Sequence, residues 1–78
     1  MKRKLDRDRL KIIYERNRER GMIIEAIKRR GAATISEIAE ITGLGKERVL
    51  THIIALQQLG RLEITGEREY EFIYSLSR

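Results

Sequence analysis

Very few residues in this chain are equipped for covalent or metal chemistry. There is a single histidine, His52, and no cysteine. His52 stands between Thr51 and Ile53, unaccompanied by a second imidazole, a thiol or carboxylates at metal-ligand spacing. A packing role on a half-buried helix face is the expectation for it. The run Gly43-Leu44-Gly45-Lys46 has the glycines and lysine of a phosphate-binding loop. It is too short for one and lacks the following Ser or Thr, so turn geometry explains it better. The sequence therefore predicts no catalytic residue, no cofactor and no metal site.

What the chain does have is cationic charge in one place. Residues 1–20 contain nine Lys and Arg (Lys2, Arg3, Lys4, Arg7, Arg9, Lys11, Arg16, Arg18, Arg20) against four acids, Asp6, Asp8, Glu15 and Glu19. That leaves eight of the 17 basic residues and eight of the 12 acidic ones for residues 21–78, so all of the net charge of +5 precedes residue 21. A basic arm of this kind is the footprint expected for phosphate contact. The interleaved acids fit equally well with a solvated helix face laced by opposite charges.

The elements that must position these groups follow from periodicity. Asp6 is placed to cap a helix near 6–19 whose apolar stripe is Leu10, Ile13 and Tyr14. Gly21 lowers helix propensity, so a second helix near 20–30, separate from the first or collinear with it, is expected to carry Met22, Ile23, Ile24, Ala26 and Ile27. Gly31 ends it, with Lys28, Arg29 and Arg30 complementing the dipole. Ser36 is placed to cap a short helix bearing Ile38, Ala39 and Ile41, stopped by Gly43. A longer helix from Lys46 puts Val49, Ile53, Leu56 and Leu59 on its core face. After Gly60 the period changes to two. Strands are expected over 61–65 and about 70–76, joined by a loop at Gly66-Glu67-Arg68-Glu69, with Thr34-Ile35 as a third short strand.

Two compact helices joined by a Gly-containing turn form a helix-turn-helix. The spacing of Ala39, Gly43, Leu44 and Val49, and the run Val49, His52, Ile53, Leu56, Leu59, Gly60, resembles the winged form of that motif. Over roughly residues 20–76 the chain is similar to small archaeal and bacterial transcription regulators. The resemblance implies an α+β fold, a winged helix-turn-helix with a three-helix core and a β-hairpin wing, here with an extra basic N-terminal helix. Residues 1–20 would be that helix or arm and residues 21–78 the winged domain. It further implies a DNA-binding transcription regulator, with double-stranded DNA as partner. Lys46, Arg48 and Thr51 would reach the groove, Arg68 would support them from the wing, and Lys2, Arg3, Lys4, Arg7 and Arg9 would follow the backbone.

Two features pull the other way. Leu50 and Ile54 lie one turn apart on the presented face of the longer helix, where base edges call for hydrogen-bonding side chains. The wing tip Glu67-Arg68-Glu69 has one cation against two anions. Either the N-terminal helix folds back to bury Leu50 and Ile54 under Leu10, Ile13 and Tyr14, or that stripe is a protein-binding face. The alternative function is thus a protein-interaction module.

A domain of 78 residues builds a marginal core, so a homodimer through Leu10, Ile13 and Tyr14 is expected. The absence of cysteine, of a membrane-spanning run and of a secretory signal predicts a cytoplasmic protein. Abundant Ile, Arg and Glu without Pro, Cys or Trp resembles proteins from hot environments.

Overall fold

The structure, a computed structural model, describes residues 3–77, and for residues 3–7 only the backbone. The chain runs α1 (Arg3–Arg30), β1 (Ala33–Thr34), α2 (Ile35–Thr42), α3 (Lys46–Gln58), β2 (Leu62–Arg68) and β3 (Glu71–Leu76). The strands form an antiparallel sheet in the order β1-β3-β2. This is the winged helix-turn-helix, with α2, the Gly43-Leu44-Gly45 turn and α3 as its helical unit and β2–β3 as the wing.

The core is a single cluster to which every element contributes. Ile23 and Ile27 of α1, Ala33 of β1, Ile38 of α2, Val49, Ile53 and Leu56 of α3, Leu62 of β2 and Tyr74 of β3 are buried together. Each fully buried aliphatic side chain contributes about 1.5–3 kcal/mol relative to exposure. Leu44, the apolar residue in the helix-turn-helix turn, packs against this cluster.

Several boundaries differ from those read in the sequence. α1 is one helix of 28 residues, not two, and Gly21 lies exposed inside it. The cost of a helical glycine, about 1 kcal/mol, is outweighed by the burial of Ile23, Ala26 and Ile27 immediately after it. Asp6 falls within α1 and does not cap it. The cap of α2 is Thr34, not Ser36: its hydroxyl accepts from Glu37 N while the Glu37 carboxylate accepts from Thr34 N. Gly43 ends α2 at φ 79°, a left-handed conformation that closes the turn by donating its N–H to the Ala39 carbonyl.

The wing is longer than expected. Gly66 is inside β2, and the reversal falls at Glu69 and Tyr70, both at positive φ (52° and 66°). Two consecutive positive φ values match the twist of the flanking strands, which is why two-residue hairpin turns favour them. The register shifts by one between Ile64 and Gly66, so Thr65 is an extra residue in β2. The bulge sets its hydroxyl 2.8 Å from that of Ser75. The third strand is Ala33–Thr34, one residue earlier than expected. Leu59, expected on the core face of α3, is exposed because the helix stops at Gln58 and Leu59 becomes its C-cap. Of the alternating wing residues only Leu62 and Tyr74 are buried; Tyr70, Phe72 and Ile64 face out.

α1 outgrows the domain. Twenty-eight helical residues span about 42 Å, and the molecule measures 51 × 25 × 20 Å. Residues 8–18 are all exposed, and burial begins at Glu19.

Candidate nucleic-acid interface

The helix-turn-helix sets α3 with Val49, His52, Ile53 and Leu56 inward. The opposite side therefore carries Lys46, Glu47, Leu50, Thr51 and Ile54, all exposed. Lys46 begins the first turn. Thr51 turns its hydroxyl onto the Glu47 carbonyl at 3.0 Å, a bond within its own helix. Leu50 and Ile54 remain 43% and 46% exposed. The fold-back of the N-terminal helix does not occur: Leu10, Ile13 and Tyr14 are themselves exposed and cover nothing. They lie on the stretch of α1, residues 8–18, in which every residue is exposed.

Arg48 sits at the edge of this face, against α1. Its Nε donates to Glu19 Oε1 at 3.0 Å, and His52 Nε2 lies 2.8 Å from the same oxygen. Glu19 is 6% exposed and His52 5%. Since a carboxylate only accepts, Nε2 is the protonated nitrogen of His52, and Nδ1 accepts from Arg20 Nε at 3.3 Å. The hydrogen bond from His52, followed by Arg48, holds the Glu19 carboxyl below its ordinary range against the opposing effect of burial. His52 is thus more than a packing residue: both of its ring nitrogens are hydrogen-bonded, and it joins α1 to α3 through a polar chain. Nothing in the sequence distinguishes Glu19 from the other interleaved acids of the arm, so this cluster is visible only once α1 is packed.

The wing cation is engaged elsewhere. Arg68 Nη2 lies 2.8 and 2.7 Å from the two oxygens of Glu37, and Arg30 Nη2 binds the same carboxylate at 3.1 Å. The backbone N–H of Thr34, then Arg30 and Arg68, keep the Glu37 carboxyl below its ordinary range. Glu71, the first residue of β3 after the wing's turn, accepts from Ser36 N at 3.1 Å. Two links therefore pin the wing to the start of α2, and its tip leaves Glu67 and Glu69 exposed. Burial, with Glu71 nearby, raises the Tyr74 hydroxyl above its ordinary value.

Of the arm cations, Lys2 lies outside the described residues, as do the side chains of Arg3, Lys4 and Arg7. Arg9, Lys11, Arg16 and Arg18 are exposed along the projecting part of α1. Among the described residues there is no group of His, Asp or Glu arranged to hold a metal ion. No described helix is long and apolar enough to cross a membrane.

No protein family and no curated protein matched this sequence. Solved structures do match it in shape. The apo Zalpha domain of zebrafish PKZ aligns with a TM-score of 0.75 at 23% identity, covering 82% of this chain and 98% of that one. The Zalpha domain of Carassius auratus PKZ, crystallised in complex with Z-DNA, aligns with a TM-score of 0.71 at 22% identity, covering 80% and 97%. At this level of identity the likeness establishes the winged-helix fold.

Proposed function

We propose that this chain is a non-catalytic, duplex-DNA-binding winged helix acting in transcription regulation. The carrying observation is the projecting half of α1, which sets Arg9, Lys11, Arg16 and Arg18 in solvent beyond an otherwise charge-neutral domain. A cationic rod at the edge of a winged helix is suited to track a phosphate backbone. Lys46 and Arg48 stand at the end of α3 that joins this surface. The shared fold with a Zalpha domain that binds Z-DNA supports the choice of partner.

Recognition on this reading is of backbone and shape more than of bases. Leu50 and Ile54 offer no hydrogen bonds to base edges, and Thr51 spends its hydroxyl proton on its own helix. The protein acts as a homodimer, because Leu10, Ile13 and Tyr14 are exposed on a stretch of helix that no other described element covers.

The test is a titration against right-handed and Z-form duplexes at two salt concentrations, with the full chain and with residues 1–9 deleted. Deletion should weaken binding to every sequence. It should also reduce the slope of log K against log salt by about 0.9 for each phosphate that is no longer neutralised. Duplex binding that is absent, or indifferent to both salt and deletion, overturns the proposal.

A second reading has its own observation, the uncovered Leu50 and Ile54, which suits a protein-docking face. Leu50→Lys separates the two. On the DNA reading the added cation is neutral or tightens duplex binding; on the docking reading it abolishes association with the protein partner.

A further inference from the structure

The chain Arg20–His52–Glu19–Arg48 has a property beyond joining two helices. Both arginines are anchored by Nε alone, Arg20 on His52 Nδ1 and Arg48 on Glu19 Oε1. Among the described residues no acceptor takes the two terminal nitrogens of either guanidinium. The anchors are buried, while the Arg48 side chain is 62% exposed and Arg20 is half-buried.

We propose that Arg20 and Arg48, held by the His52–Glu19 pair, form a binding site for a phosphate group at the α1–α3 junction. A guanidinium fixed through Nε presents its two terminal amino groups as a planar fork, the geometry that matches phosphate oxygens. Anchoring removes much of the rotamer freedom that a surface arginine would otherwise lose on binding. With His52 neutral, two guanidiniums and one carboxylate leave the cluster at +1. The repulsion an anion would feel from Glu19 is limited because both bonds at Oε1 are to protein donors. The ligand is a phosphate or phosphodiester, and the choice of a nucleic-acid backbone as its source rests on the proposed function.

Charge-conserving substitutions test it, because Lys keeps the charge but has no fork. Once an ammonium reaches toward Glu19 or His52, no second nitrogen is left to present. Arg20→Lys and Arg48→Lys should each weaken binding of a short random-sequence duplex about tenfold, with the salt slope retained. In a second arm, inorganic phosphate is titrated into the wild-type protein at constant ionic strength in chloride, and the Nε–H resonances of Arg20 and Arg48 are followed. Saturable shifts at both support the site, and they do so even if no duplex binds, in which case the nucleic-acid reading alone falls. Duplex binding that is equal in wild type and both Lys variants, with Nε–H resonances unmoved by phosphate, overturns the site and leaves the nucleic-acid reading standing.

Discussion

Arg68 and Glu37, 31 residues apart in sequence, meet with Arg68 Nη2 2.7 Å from Glu37 Oε2. The same carboxylate accepts the Thr34 N–H and completes the cap of α2. One side chain therefore fixes the start of a helix, the position of the wing and the fate of the wing's cation.

Replacing Glu37 with Gln should loosen the wing and release Arg68. Duplex binding should tighten a few-fold through the freed cation while thermal stability falls. The pH dependence has a definite sign. The folded-state pKa of Glu37 lies below its ordinary value of 4.5, so its stabilisation is complete above that value and is lost as pH falls through the lowered one. The difference in melting temperature between wild type and Glu37→Gln should therefore shrink as pH is taken from 7 toward 3. A gap that stays constant over that range would show that the carboxylate's charge contributes nothing.

The helix-turn-helix depends on two local devices at the ends of α2. Thr34→Ala removes the capping hydroxyl and should cost about 1 kcal/mol. Gly43→Ala forces an L side chain into a left-handed position at φ 79° and should cost about 1–2 kcal/mol, although nothing lies within 4 Å of the added methyl. Denaturant unfolding measures both. An unchanged midpoint for Gly43→Ala would mean the turn relaxes without penalty.

Ile53 has no exposed surface, in a core drawn from every element. Ile53→Ala should cost about 2–5 kcal/mol, enough to unfold much of a domain this small. The exposed Ile54, one residue on, should lose well under half of that when changed to Ala. Equal losses at both positions would mean that Ile54 is covered by a partner in solution.

Leu10, Ile13 and Tyr14 supply the test of the dimer. Leu10→Glu should convert a dimer to a monomer in light scattering and reduce the helicity of the projecting half of α1. A monomer mass for the wild type at high concentration would refute the dimer.

The local order of elements was legible because it is encoded locally. Gly43 marks the end of α2, spacings of three and four make α3, and the change to alternation after Gly60 announces the wing. The composition of the arm also made its separate charge plain. Tertiary structure alone decided the continuity of α1 across Gly21, since packing of Ile23 and Ile27 outweighs a local propensity that argues for a break. It alone moved the cap from Ser36 to Thr34, whose backbone is fixed by pairing with β3. The fates of the candidate cations were hidden for the same reason. Arg48 finds Glu19 at a separation of 29 residues and Arg68 finds Glu37 at 31. An ion pair of that kind leaves no periodic trace in a sequence where acids and bases are everywhere interleaved, and it exists only after α1, α2, α3 and the wing are packed around one core.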